Sequence, residues 1–119
     1  MSSFTRTIPS ENGEAFVNQI LSREDHYVPL AYRPTRAQPG DFIYLVFRGR
    51  MVGRARIAAI ESAAPARLVG EDRYPPWAKW IIRFVGTWQK PPRDIPVQGH
   101  QSVRYLETHA LEHLDTESW

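Results

Sequence analysis

The fold of this chain is decided by the stretch PGDFIYLVFRGRMVGRARI, which runs from residue 39 to residue 57. After a turn signal its first half is apolar at every position from 42 to 47, as in a strand that is covered on both faces. Gly49 can adopt the positive φ that a tight reversal requires. Arg54 and Arg56 lie two positions apart in the second half, so their side chains share a face. We therefore predict a β-hairpin inside a packed core, with a positive stripe on its second strand.

Length and composition predict a single domain over residues 1–119. With 42% hydrophobic residues, the 119 residues can bury a core without covalent staples. The absence of cysteine excludes disulfides, thiolate metal sites and cysteine nucleophiles. The apolar run at 42–47 is far below the roughly 20 residues that span a bilayer, and the first six residues lack a signal-peptide pattern. We expect a cytoplasmic protein with no membrane partner.

The patterns on either side of the hairpin predict an α+β fold, a small curled β-sheet or pseudobarrel of about five or six strands with two or three flanking helices. Proline and glycine mark residues 26–40 as loop or edge structure and 63–76 as irregular. Periodicity predicts the remaining elements. These are a strand at 3–8, a helix from Ser10 to about residue 25, strands at 77–88, 94–98 and 101–105, and a helix at 106–114.

The charges are unevenly distributed along the chain. The net charge is +2, yet from Glu107 onward there are acids and no base, so the preceding part is more basic than the total suggests. All but Lys79 and Lys90 of the 15 basic residues are arginines. The planar guanidinium of arginine donates paired hydrogen bonds to phosphates and stacks on bases. A genomic bias toward arginine, or a solvated sheet face that binds nothing, explains the same composition.

The hairpin resembles part of a known superfamily. The residues that carry the resemblance are Gly40-Asp41, the aromatic-rich strand, and Val52-Gly53-Arg54-Ala55 followed by a β-branched residue, with the segment 99–105 near the end. They are similar to the second and third strands and a late element of the PUA-like superfamily, which includes the EVE, ASCH and YTH domains. The resemblance implies a pseudobarrel that binds RNA or DNA and often holds an unusual or modified base in a pocket between strands.

The same resemblance implies an alternative, since some ASCH-like proteins are hydrolases that act on RNA or modified nucleosides. Their G-x-K-x-x-T-x-R signature is not intact here. With Thr35 as the threonine, Leu30, Tyr32 and Ala37 occupy its other positions, so no catalytic residue is carried over. The candidates that remain for acid–base work are Lys79 and Glu61, which are equally well explained as surface charges.

We predict a nucleic-acid-binding module, with RNA favoured over DNA as the partner. A protein-interaction domain that uses its acidic C-terminal helix is a further alternative. Tyr74 and Trp77 are the leading stacking candidates, because large aromatics on a loop between strands are hard to bury completely. The predicted site consists of Arg33, Arg36, Arg54 and Arg56 along a backbone track, Tyr74, Trp77 and Trp80 as stacking surfaces, and Tyr44 at the floor of a pocket.

A short motif near the end matches a metal-site signature. His109-Ala110-Leu111-Glu112-His113 fits H-x-x-E-H, and histidines four apart share a face of an α-helix. No clear third ligand follows, and the apolar positions of the same helix must dock on the sheet. We therefore expect no metal and no cofactor.

Overall fold

A computed structural model describes residues 2–22, 27–63, 77–99 and 103–119. Within these ranges the chain forms a six-stranded mixed sheet that curls into a half-barrel, with one α-helix. The strands are β1 Phe4–Ile8, β2 Tyr27–Leu30, β3 Phe42–Phe47, β4 Arg50–Ser62, β5 Trp80–Gln89 and β6 Val103–Tyr105; the helix is α1 Gly13–Leu21, and 3-10 helices cover Ser10–Asn12, Leu106–His109 and Glu112–Thr116.

The predicted hairpin is confirmed. Strands β3 and β4 pair antiparallel, and Phe47 faces Arg50 across the reversal. Both loop residues have positive φ, 51° at Arg48 and 75° at Gly49. Positive φ at both positions matches a type I′ turn, whose twist suits the two flanking strands.

The strand order in the sheet is β2-β5-β4-β3-β1-β6. Only the pairing of β1 with β3 is parallel among the pairings of the described strands. A parallel pair needs a crossover, and here α1 and β2 lie in the chain between β1 and β3. The arrangement places α1 over the inner face of the curled sheet, where Val17 joins the core.

The prediction that β3 is covered on both faces is also confirmed, because all six of its residues are buried. Ile43, Leu45 and Phe47 belong to the inner cluster, together with residues of α1, β1, β2 and β5. Phe42, Tyr44 and Val46 face outward. They form an outer cluster with Ile95, Val97, Leu106 and Leu114, which the C-terminal segment supplies in part.

Several predicted elements differ in the structure. The helix predicted over 106–114 is wrong: the chain forms two 3-10 helices there, interrupted by Ala110 in the left-handed region at φ 58°. The strand predicted at 94–98 is reduced to one bridge between Pro96 and Arg50, since proline cannot donate to a ladder. The loop or edge structure predicted before the hairpin contains the edge strand β2.

Among the described residues, no helix is long and apolar enough to cross a membrane.

Candidate functional site

A cavity of about 370 Å³ opens on the inner side of the sheet, between α1, β1, β2 and Trp77. Its walls are mainly apolar, and its aromatic lining comes from Phe16, Tyr27, Trp77 and Phe84. Its polar lining includes the side chains of Arg6, Asn12 and Gln19. A mostly apolar hollow of this size with a few convergent polar groups is the usual form of a ligand site.

The position of Arg6 follows from the register of β1. Phe4 is paired with Ile43, Arg6 with Leu45 and Ile8 with Phe47. Alternate residues of a strand share a face, so Arg6 projects from the inner face between Phe4 and Ile8, which are both core residues. A charged side chain therefore occupies a position that the fold otherwise fills with apolar groups.

The Arg6 guanidinium is partly desolvated and lacks a counter-ion in the described part of the chain. Burial lowers the pKa of Arg6, although an arginine of this kind stays charged at neutral pH. No described carboxylate pairs with it, and its contact is with the ring of Trp77, whose centroid lies 5.8 Å from Cζ. Its nitrogens still reach water, because the buried unpaired side-chain nitrogens among the described residues are those of the Trp88 and Trp119 indoles. An incoming ligand that offers acceptors could take the place of that water.

Two aromatic side chains form the rim of the cavity. Trp77 is 49% exposed and Phe16 is 40% exposed, although both line the hollow. Large apolar side chains that stay in contact with water at the edge of a recess are typical of binding surfaces. Of the seven residues predicted for the nucleic-acid site that the structure describes, Trp77 is the one that lines this cavity.

Arg54 and Tyr44, predicted for a backbone track and a pocket floor, lie on the outer face and do not line the cavity. Arg54 is 4% exposed, and its guanidinium donates to the carbonyls of Leu114 and Glu117, both at 2.8 Å. The Tyr44 hydroxyl donates to Asp115 Oδ1 at 2.7 Å and accepts from Arg54 at 3.3 Å. Both side chains hold the C-terminal segment against the sheet.

The other predicted residues are spread over separate places. Arg33 stacks on Trp80, with Cζ 5.0 Å from the ring, and Trp80 packs against the inner core. Arg36 stacks on Tyr105 at 4.6 Å and is ion-paired with Glu107. Arg56 lies over Phe42 beside a shallower outer hollow of about 300 Å³. Tyr74 lies outside the described residues. The predicted residues that the structure describes therefore do not converge on one hollow.

The catalytic candidates do not form a site with the cavity. Glu61 is exposed and accepts a hydrogen bond from Arg83 at 2.9 Å. Lys79 is exposed, and neither side chain lines the cavity. The described lining contains Arg6 and no carboxylate, imidazole or amine. Nothing described there is suited to transfer a proton at neutral pH.

The two histidines of the H-x-x-E-H match do not share a helix face. His109 belongs to one 3-10 helix and His113 to the next, with the left-handed Ala110 between them. His109 Nε2 lies 3.1 Å from Thr5 Oγ1. The described residues contain no group of three or more histidine, aspartate or glutamate side chains that could hold a metal ion.

Sequence reasoning missed Arg6, although a signal was present. In the strand predicted at 3–8, Phe4, Arg6 and Ile8 alternate with the other residues and so share one face of the strand. Arg6 is the charged residue on that otherwise apolar face. A charge on the core side of a predicted strand indicates a paired group or a ligand contact. Tyr27 left no comparable signal, because it precedes Pro29 in a stretch whose prolines indicate a loop.

Comparison of this chain with family models, curated proteins and solved structures gives no significant match.

Proposed function

We propose that this protein binds single-stranded nucleic acid, RNA in preference to DNA, and holds one unstacked base in the cavity beside Arg6. The observation that carries the proposal is that Arg6 lines a mainly apolar cavity and its guanidinium has no carboxylate partner among the described residues. Arginine recognises the acceptor-rich edges of bases. Its donors have no protein acceptor among the described residues, so a base can accept from them in place of water.

The aromatic rim supplies the second half of base recognition. Trp77 is half exposed at the edge of the cavity and Tyr27 lines its wall. Stacking of a base on an aromatic side chain contributes about 1–3 kcal/mol and is available to every base. Proteins that read RNA bases take them from single-stranded regions, where the bases can be splayed out. A rim of this kind therefore suits an unpaired strand rather than a duplex.

Exposed arginines near the cavity would contact the phosphates. Arg48 reaches the carbonyl of Ser10 at 3.5 Å, just before α1, and Asn12 of the same turn lines the cavity. The ion pair of Arg48 with Glu14 is exposed and spans 3.8 Å, a geometry that contributes little to stability. Arg48 can therefore exchange this carboxylate for a phosphate at small cost. The sequence pI of about 9.2 favours the same partner.

The PUA-like resemblance supports the same proposal at the level of the fold. A curled mixed sheet, with α1 after β1 and a central hairpin, is compatible with the pseudobarrel that the resemblance implies. In such a barrel a base would enter between strands. We propose binding rather than hydrolysis, because the described lining offers no group suited to general acid–base catalysis.

Fluorescence anisotropy with labelled single-stranded RNA, single-stranded DNA and duplex DNA tests the proposal. We expect the single strands to bind, RNA more tightly, with affinity that falls steeply as salt is added. Arg6→Ala and Trp77→Ala should each weaken binding about tenfold. The matched control is Arg93→Ala, which removes the same charge from an ion pair with Glu117 in the C-terminal segment. Absent or salt-independent binding, or an equal loss in the control, would contradict the proposal.

A further inference from the structure

We infer that the cavity selects guanine, whose O6 and N7 atoms accept a pair of hydrogen bonds from the Arg6 guanidinium. This inference rests on the proposed nucleic-acid function and adds the identity of the base.

Arg6 lies where a base, rather than a phosphate, would meet it. Its side chain projects from the middle of β1 between Phe4 and Ile8, and Leu45 opposite is also part of the cavity lining. A phosphate drawn this far among apolar groups would lose its water and find one cation in return. The described lining holds no second cation to share that charge. A base carries no net charge, so its entry costs less than that of a phosphate when its polar edge is hydrogen-bonded, and the phosphates would stay outside with exposed arginines such as Arg48.

The donor geometry of arginine distinguishes guanine from the other bases. A guanidinium presents parallel N–H groups in a rigid plane, which match two adjacent acceptors. Guanine offers such a pair at O6 and N7, on the side away from the sugar, whereas adenine places a donor next to N7. On the corresponding edge cytosine offers a donor, and uracil, like thymine, offers a single carbonyl. Once bound, each of these bases would exclude water from the cavity and leave an Arg6 donor without an acceptor, which is the basis of discrimination.

The aromatic residues would contribute affinity without selectivity. Trp77 presents a ring 5.8 Å from the Arg6 guanidinium, so a base that meets Arg6 edge-on has its face available to the indole or to Tyr27. Stacking on such rings tolerates all four bases. Selectivity and affinity are therefore assigned to different side chains, and variants of Arg6 and Trp77 should separate them.

The decisive experiment uses oligouridine strands that differ at one central nucleotide: guanosine, inosine, 7-deazaguanosine or adenosine. Inosine keeps O6 and N7 and lacks the 2-amino group, whereas 7-deazaguanosine loses only the N7 acceptor. We expect the guanosine and inosine strands to bind within about twofold of each other and the other two about tenfold more weakly. Affinities are measured by anisotropy at one fixed salt concentration, because salt alone shifts them.

Two variants test whether Arg6 is the residue that recognises guanine. Arg6→Lys keeps the charge but lacks the two parallel N–H donors of the guanidinium. The ratio of the affinity for the guanosine strand to that for the 7-deazaguanosine strand should therefore fall toward one. Trp77→Ala should weaken all four strands by a similar factor and keep that ratio. Circular dichroism of each variant establishes that it is folded before its affinities are compared.

Three other outcomes would overturn the guanine inference. Equal, salt-dependent affinities for all four strands would overturn the guanine inference and leave the nucleic-acid function standing. Weak inosine binding combined with full 7-deazaguanosine binding would also overturn it, because the 2-amino edge would then be the one recognised. If none of the strands binds, the proposed function itself fails, and the guanine inference fails with it.

Discussion

The guanidinium of Arg54 packs against the indole of Trp119, with Cζ 4.5 Å from the ring centroid. The same carbon lies 4.2 Å from the centroid of Phe42. Hydrogen bonds from Arg54 to the carbonyls of Leu114 and Glu117 complete the attachment of the C-terminal segment to the outer face. One side chain of β4 thus joins the central hairpin to the last residues of the chain.

Replacing Arg54 with methionine should lower the free energy of unfolding by about 3 kcal/mol. The substitution leaves the carbonyls of Leu114 and Glu117, and Gln89 Oε1 at 2.7 Å, without their donor. Hydrogen bonds to a charged group contribute about 1.5–3 kcal/mol each, and buried acceptors without a partner add a penalty. Urea denaturation followed by tryptophan fluorescence measures the change.

Arg56→Met is the matched control for this change. Arg56 is exposed and also packs over Phe42, but it donates to one carbonyl, that of Gly40, at 2.6 Å. Water can replace that donor, so we expect a loss below about 1 kcal/mol. Equal losses for the two variants would show that contact with Phe42, and not the hydrogen bonds of Arg54, accounts for the effect.

Arg6→Met should have the opposite sign and raise the free energy of unfolding by about 1 kcal/mol. Arg6 is a partly desolvated cation without a counter-ion in the described part of the chain, and methionine adapts to irregular apolar surroundings. Replacing buried charges by apolar groups is often neutral or stabilising. The same variant should lose selective binding of guanine, so stability and binding would change in opposite directions. A loss of more than about 1 kcal/mol in the same denaturation assay would instead indicate a structural role.

Stability should decrease in strongly basic solution because of Tyr44. Burial, followed by the hydrogen bond to Asp115, raises the pKa of the Tyr44 hydroxyl above its ordinary value of about 10. The folded state therefore holds this proton more tightly than the unfolded chain. The stabilisation is complete below about pH 10 and is lost as the pH rises further, by up to about 1.4 kcal/mol per pH unit.

Denaturation midpoints between neutral pH and the basic limit measure this dependence. Tyr44→Phe should be less stable at neutral pH, because it loses the bond to Asp115, yet its stability should fall less steeply above pH 10. Tyr32 is 68% exposed, so Tyr32→Phe should keep the steeper slope. If Tyr44→Phe retains that slope as well, Tyr44 is not the titrating group.

Packing of α1 on β4 should depend on a glycine. A Cβ built on Gly53 would lie 2.7 Å from Leu21 Cδ2 and 3.4 Å from the carbonyl of Gln89. Gly53→Ala should therefore lower the free energy of unfolding by about 1–2 kcal/mol, since one side chain of α1 must shift. In a Leu21→Ala background most of that cost should disappear. A double-mutant cycle measures the coupling, and additive effects would contradict this contact.

Local patterns predicted the centre of the fold and little of its periphery. Six apolar residues followed by a glycine turn sufficed for β3 and its reversal, because an apolar run on both faces and a residue that accepts positive φ are local features of the sequence. The predicted C-terminal helix failed because Leu106 and Leu114 are buried in the outer cluster, which two short 3-10 helices satisfy as well as one α-helix does. Tertiary contacts override helical periodicity in segments this short.

By itself the sequence determined a cysteine-free, arginine-rich chain built on one central hairpin, because composition and alternation require no knowledge of distant partners. Only the tertiary structure decided what each arginine does. Arg54 and Arg56 share a strand face, yet one is buried under the C-terminal segment and the other is exposed. Arg6 lies far from both in sequence and borders the cavity because α1 and β2 close over β1. Burial and pairing depend on which segments meet in space, and a linear pattern does not contain that information.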